Sequence, residues 1–257
     1  MRQKTVNETV QGVATLLRSG IGEGIRVREA AAKAYVSAYH LSRVFKSTTG
    51  ISPVTYLLAV RMEKAVELLV ETARSITEIS FDVGYNSLGT FVTRFRKWVG
   101  VSPSEFRALV RGSARRHSLG AASGSSFEGD GGGVVSGTVI GPRTVGRVYV
   151  GLFLTPFPQK CPVACACLDA PGPFRIDDVP PGAYYVLAAA GVQPRYDGDL
   201  STAQFVASRG HRKLLVVHSE RVSAPVRLTL RERSGIDLPI LGVYARTQGP
   251  GLESLSN

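Results

Sequence analysis

Two stretches carry side chains suited to reading a polyanion. The first is Ser37-Ala38-Tyr39-His40-Leu41-Ser42-Arg43-Val44-Phe45-Lys46, and the second is Ser87-Leu88-Gly89-Thr90-Phe91-Val92-Thr93-Arg94-Phe95-Arg96-Lys97. In the first, Leu41, Val44 and Phe45 recur at the spacing of a helix face that packs inward. Tyr39, Ser42, Arg43 and Lys46 then point outward. Arg43 carries a fork of donors that matches a guanine edge, Ser42 can donate or accept, and Lys46 suits a phosphate. His40 lies beside this face, where a backbone contact and a packing role are both open. In the second stretch Phe91 and Phe95 turn inward. Leu88, Gly89, Thr90 and Thr93 point outward with few hydrogen-bonding groups, and Arg94, Arg96 and Lys97 look like phosphate contacts. The first helix is expected to specify more than the second.

The elements that must position these helices repeat. Phe45 to Pro53 matches Phe95 to Pro103 position for position, and Val27-Arg28-Glu29-Ala30-Ala31 matches Ile76-Thr77-Glu78-Ile79-Ser80 once one residue is inserted. A short helix (Val27 to Ala34; Ile76 to Val83) meets a tight turn, after which Ser37 or Ser87 stands where an N-cap is wanted. That is the layout of a helix-turn-helix. Gly84 suits a left-handed turn position, and Tyr35 fits the same place less well. Two units are too few for a solenoid, which needs at least about three repeats. The modules span about 20–50 and 72–102. An opening helix over 5–18 precedes them, and a helix over 53–71, started by Ser52-Pro53, joins them as a rigid spacer. Arg61, Glu63, Lys64, Glu67 and Glu71 are expected on its solvent side. Ser102-Pro103-Ser104-Glu105 is a capping box that starts the last helix.

Over about 20 to 110 the chain resembles the AraC family of transcriptional regulators. The resemblance rests on Leu41-Ser42-Arg43-Val44-Phe45-Lys46, Gly50-Ile51-Ser52-Pro53, Ile76-Thr77-Glu78-Ile79, Val83-Gly84-Tyr85 and the closing run from Phe95 to Arg107. It implies two helix-turn-helix units on a connecting helix, set in successive major grooves about 34 Å apart. It also implies double-stranded DNA as partner, activation of transcription and contact with RNA polymerase. The family's usual layout puts a sensor before the DNA-binding domain, and here that order is reversed. What the family implies about effectors therefore does not carry over.

Charge distribution fits a polyanionic partner. Residues 1–117 hold 18 Lys/Arg against 9 Asp/Glu, and residues 118–257 hold 13 against 11, so the excess is +9 in the first part and +2 in the second. Basic charge gathered on one domain is what phosphate neutralisation needs, although Arg18, Lys64 and Arg74 read as ordinary solvated charges. Neither a transmembrane span nor a signal peptide is visible, which leads to the expectation of a cytoplasmic protein without a membrane partner.

From 112 to 133 the chain turns to Gly, Ser and Ala, a composition that buries too little apolar surface to offset its ordering entropy, and a flexible linker is expected. Beyond it the periodicity becomes two. Val135, Gly137 and Val139 alternate with polar residues, as do Val226, Leu228 and Leu230, and Val148, Val150, Leu152 and Leu154 alternate with Tyr149, Gly151 and Phe153. Short alternating strands with Gly/Pro turns indicate an all-β sandwich over 134–232. The expected fold class is thus multidomain, an all-α double helix-turn-helix followed by an all-β sandwich. Gly172 to Tyr184, with its Val179-Pro180-Pro181-Gly182 turn, resembles the carboxypeptidase-regulatory-like, transthyretin-like sandwich domains. That likeness implies an accessory fold for effector sensing or protein interaction, without chemistry of its own. Residues 236–244 suggest one further strand within a 233–257 tail that is disordered beyond about 249.

Cys161, Cys165 and Cys167 fall within seven residues. A thiol sensor or soft-metal site would need them to converge. Cys165 and Cys167 on a strand stand roughly 6 to 7 Å apart, and burial as small apolar side chains is the expectation. No G-x-S-x-G, P-loop or paired-carboxylate pattern supports an enzyme, and neither cofactor nor metal is expected. The alternatives are a DNA-coupled enzyme, such as a repair protein whose Cys accepts an alkyl group, and a β domain serving only for homodimerisation. A small-molecule effector is a further partner to consider.

Overall fold

The computed structural model describes residues 2–111, 132–158, 162–191, 203–208, 215–219 and 221–239. Two compact units result: Met1–Arg115 together with Ser234–Leu241, and Arg116–Arg233 together with Gly242–Asn257. Among the described residues no helix is long and apolar enough to cross a membrane.

The first unit is helical. Helix α1 (Arg2–Ser19) buries Val10, Val13, Ala14 and Leu17. The first module is α2 (Val27–Lys33) and α3 (Ala38–Thr49). Helix α4 (Pro53–Glu71) leads to the second module, α5 (Ile76–Asp82) and α6 (Leu88–Val99), and α7 (Pro103–Val110) follows. Helix α4 is the hub, packing against all six of the others. Its inward face, Tyr56, Ala59, Val60, Met62, Ala65, Val66 and Leu69, is buried.

The two modules are built by the same local rules. Ser37 Oγ accepts from the backbone amide of His40, and Ser87 Oγ accepts from that of Thr90. Each recognition helix ends on a left-handed glycine, Gly50 (φ 84°) and Gly100 (φ 106°). Each is followed by a Ser-Pro that starts the next helix. The Ser75/Glu78 and Ser102/Glu105 capping boxes close α5 and α7 reciprocally. Upstream, the amide of Val36 returns to Ala31 O at 3.0 Å and that of Tyr85 to Ser80 O at 2.9 Å. Val36 therefore corresponds to Tyr85, whereas Ser37 corresponds to Ser87. The inserted residue of the second module is Asn86.

Both turns require a left-handed residue. Gly84 supplies it at φ 80°, and Tyr35 takes the same conformation at φ 55° with its side chain 98% exposed. For a residue with a Cβ that conformation costs roughly 1–2 kcal/mol, and Tyr35 makes no packing contact in return. Tyr35→Gly should therefore raise the stability of the chain by roughly 0.5–1 kcal/mol after the extra backbone entropy of glycine is charged against it, read as a higher urea midpoint at unchanged slope.

The second unit is built of strands. A three-stranded sheet has the order β4-β1-β8, from Gly133–Ile140 (β1), Pro173–Val179 (β4) and Val226–Thr229 (β8). The other sheet runs β3-β2-β5-β6-β9, from Val148–Phe153 (β2), Ala164–Leu168 (β3), Gly182–Ala190 (β5), Phe205–Ser208 (β6) and Arg231–Glu232 (β9), with β7 (Leu215–Val217) paired to β5. Their alternating residues meet in one apolar cluster, with Val135, Val139, Phe174, Ile176 and Leu228 from the first sheet and Val148, Val150, Leu152, Tyr184 and Val186 from the second. The Val179-Pro180-Pro181-Gly182 turn carries the chain from one sheet to the other, because β4 pairs with β1 and β5 with β2. Tyr184 Oη donates to Pro180 O at 2.8 Å and pins that crossing.

Three expectations are corrected here. Ala164, Ala166 and Leu168 are the residues of β3 that pack on the core, so strand alternation turns Cys165 and Cys167 outward. Cys165 is half-buried and Cys167 exposed, and neither fills the core; Cys161 lies outside the described residues. Of the strand expected over 236–244, residues 236–239 form none and belong to the helical unit, and 240–244 lie outside the described residues. Arg18 is also no solvated charge, since its Nη1 bonds Glu63 Oε2 at 2.6 Å. Lys64 and Arg74 remain substantially exposed in pairs with Glu67 and Asp82. The stretches 112–131 and 240–257, where a linker and a tail are expected, lie outside the described residues.

Candidate nucleic-acid interface

Burial of Leu41 and Phe45 fixes how α3 is rotated. Tyr39, Arg43 and Lys46 then follow one another at four and three residues and form one ridge on the opposite face. Tyr39 is 80% exposed, and Arg43 and Lys46 are exposed beside it. Ser42 and His40 flank the ridge on either side and are also exposed. Ser37 is exposed as well, with its hydroxyl committed to the helix cap.

Helix α6 is rotated in the same way by Phe91, Phe95, Trp98 and Val99. Phe91 stacks against Tyr85 and Phe95 at ring distances of 5.5 and 5.7 Å, and Phe95 meets Phe106 of α7 at 5.8 Å. The positions that correspond to Tyr39, Arg43 and Lys46 are Gly89, Thr93 and Arg96. Thr90 and Lys97 adjoin this ridge, and Leu88 and Arg94 lie at its edges, all exposed. Ser87, like Ser37, is an exposed cap. The ridge of α6 thus has one cationic donor where α3 has two and an aromatic ring. Neither helix contains an Asp or Glu, while together they hold Arg43, Lys46, Arg94, Arg96 and Lys97. The acidic group nearest to these cations is Glu105, 4.0 Å from Arg96 and exposed. The face is open to phosphate.

Arg61 of α4 was expected on the solvent side. Instead its Nη1 donates to Gly84 O at 3.0 Å and its Nη2 to Ile25 O at 3.1 Å. Its guanidinium lies over the Tyr85 ring, 5.8 Å from the centroid. One side chain of the connecting helix therefore holds the entry to the first module and the turn of the second. Burial pushes the Arg61 guanidinium below the ordinary arginine value, a shift that Tyr85 opposes and the like charge of Arg94 reinforces. The sequence signals none of this, since an arginine on an amphipathic helix reads as solvated. Gly84 is the indirect clue: a Cβ there would stand 3.0 Å from the Arg61 guanidinium carbon.

Among the described residues no group of three or more His, Cys, Asp or Glu gathers to hold a metal. Desolvation raises the Cys167 thiol above its ordinary value, while Arg147 pulls it down and Asp169 and Cys165 add to the rise. His218 is exposed, and His117 and His211 lie outside the described residues.

Two helix-turn-helix modules clamped to a common helix, each with a basic second helix that contains no Asp or Glu, define a double helix-turn-helix DNA-binding unit. The helix-turn-helix domain family matches residues 30–109. The Msm operon regulatory protein of Streptococcus mutans is 34% identical over 102 residues, which are 40% of this chain and 37% of that protein. The probable transcription factor PqrA of Proteus vulgaris is 32% identical over 107 residues, 42% of this chain and 86% of that protein. A solved transcriptional regulator of Chromobacterium violaceum, described as an AraC-type DNA-binding protein, is 29% identical, covering 40% of this chain and 91% of its own at a TM-score of 0.38. The N-terminal part of the chain is a helix-turn-helix DNA-binding domain of the AraC type. It spans 37% of the length of the Msm regulator and half that of another curated relative, and the family match at 30–109 lies in the helical part.

Proposed function

We propose that the protein is a sequence-specific DNA-binding transcriptional regulator that sets α3 and α6 into successive major grooves on one side of a duplex. The observation that carries this reading is the pair of corresponding ridges, Tyr39-Arg43-Lys46 and Gly89-Thr93-Arg96, on helices that contain no Asp or Glu and pack on one connecting helix. Helix α3 specifies, with Arg43 toward a base edge, Ser42 and Tyr39 beside it, and Lys46 and His40 at the backbone. Helix α6 mainly anchors, through Arg94, Arg96 and Lys97. Activation through RNA polymerase follows from the family's character, and a DNA-bound regulator works in the cytoplasm.

The second unit is best read as a β-sandwich of the transthyretin-like kind, since two sheets share one apolar core. Its role would be effector sensing, protein interaction or self-association, and the mass of the full chain against concentration separates the last from the others. The boundaries 1–111, 112–133, 134–232 and 233–257 remain the working division, with 234–239 returning to the helical unit. A thiol that accepts alkyl groups needs a stabilised thiolate. Desolvation holds the Cys167 thiol above its ordinary value, which speaks against that role for this thiol.

Selection of random duplex DNA by the full chain at near-physiological salt tests the proposal. Enrichment of a two-part motif with halves about one turn apart is the expected result, and a lack of any enrichment would leave only a non-specific clamp. Lys46→Ala should weaken binding to selected and unselected DNA alike, and should lower the slope of log affinity against log salt by about one. Titration of both DNAs at several salt concentrations reads both quantities.

A further inference from the structure

The segment after β9 leaves the β unit. The amide of Arg233 still bonds Gln204 O at 2.8 Å, whereas Ser234 to Pro239 pack in the helical unit. The segment is closed on itself: the Asp237 carboxylate accepts from the Ser234 amide at 2.7 Å and from its hydroxyl at 3.2 Å, and the Asp237 amide returns to Ser234 O at 3.0 Å. This turn presents two backbone carbonyls to α1 and α4. Arg18 donates through Nε to Gly235 O at 3.3 Å and through Nη2 to Asp237 O at 3.4 Å. Tyr56 Oη also donates to Gly235 O.

The receiving groups are also held by one another. Arg18 Nη1 is held by Glu63 at 2.6 Å and its Nε donates to Tyr56 Oη at 2.8 Å. Burial disfavours the Arg18 charge, but Glu63 and then Tyr56 outweigh it and leave the guanidinium above its ordinary value. Tyr56 is wholly buried, and its ring meets Phe45 edge-on at 5.3 Å. Phe45 is the residue that seats α3, with Arg43 and Lys46 on the far side of the same helix. A continuous series of contacts therefore runs from Gly235 through Tyr56 and Phe45 to the recognition helix. None of the outward-facing residues of α3 and α6 named above is covered by the segment, because all are exposed. The segment leaves the outward face of both helices open.

We infer that Ser234–Pro239 is a strap that docks its Gly235 and Asp237 carbonyls on the Arg18-Tyr56-Glu63 site of the DNA-binding unit, and that the docked strap holds α3 in its DNA-reading seat. Because Ser234 directly follows β9, the β unit and the strap share one backbone. A change in the β unit that drew the strap off would lower affinity for DNA. The effect on DNA rests on the function proposed above, while docking itself does not.

The test uses the full-length chain and two substitutions that leave the Phe45 contact in place. Asp237→Ala opens the strap's turn, and Tyr56→Phe removes the hydroxyl and keeps the ring. Each should speed amide hydrogen exchange at the end of α1 and the start of α4, and should weaken binding to the selected duplex three- to tenfold with helix content unchanged by circular dichroism. Unaltered exchange in both variants overturns the strap. Faster exchange with unaltered DNA affinity overturns its coupling to α3. Should the native chain bind no DNA selectively, the regulator reading falls, and the exchange result still decides whether the strap is docked.

Discussion

Arg61→Ala should lower the stability of the full chain by about 2–3 kcal/mol, and should disturb recognition of a two-part DNA site more than recognition of either half. The side chain donates to Ile25 O in the first module and to Gly84 O in the second. Hydrogen bonds from a charged donor contribute about 1.5–3 kcal/mol each, and partial access of water to the carbonyls brings the sum down to the figure given. Lysine cannot rescue the position, since a single ammonium lacks the planar fork that spans two carbonyls. Gly84→Ala should resemble Arg61→Ala, because it combines a positive φ with a Cβ pressed against the guanidinium. The urea midpoint, followed by helix signal, measures the first effect. Competition between a full site and its isolated halves measures the second. An unchanged midpoint for Arg61→Ala would mean that the two bonds are replaced by water at no cost, and that α4 positions the modules by apolar packing alone.

What could be read from the sequence was local and periodic. The caps at Ser37, Ser52, Ser87 and Ser102, the glycines at 50 and 100 and the buried faces of α3 and α6 each depend on residues within one or two helical turns, so spacing carries them. The alternation of β1, β2 and β8 was equally visible, because one face of each strand is buried. Contacts between residues far apart in sequence left no such trace. Arg18 and Arg61 look like any surface arginine until the elements that supply their carbonyl partners are in place. Cys165 and Cys167 were misjudged for a different reason. Alternation fixes which residues share a face, and it does not say which face of β3 packs inward. Ala164, Ala166 and Leu168 take the inner one, so the more polarisable thiols stand on the outside of an edge strand. Tyr35 is the opposite case, where the sequence flagged an ill-fitting residue and the backbone adopts the left-handed turn in spite of it.

Arg43→Ala should cost about 1–3 kcal/mol at the selected site and relax base preference within one half of it. The reasoning begins with the ridge of α3, where Arg43 stands between Tyr39 and Lys46 on the face opposite Leu41 and Phe45. It is the one group of that ridge whose donors match two acceptors on a single base pair. Its counterpart in α6 is Thr93, which has one hydroxyl, so Thr93→Ala should change selectivity far less. Arg43→Lys separates charge from shape: it keeps the positive charge and therefore the salt slope, but loses the fork and with it most of the base preference. Repeating the selection with Arg43→Ala, Arg43→Lys and Thr93→Ala gives the answer position by position. If all three variants enrich the native motif, specificity does not come from this ridge, and the sequence preference must arise from the shape of the duplex held between the two modules.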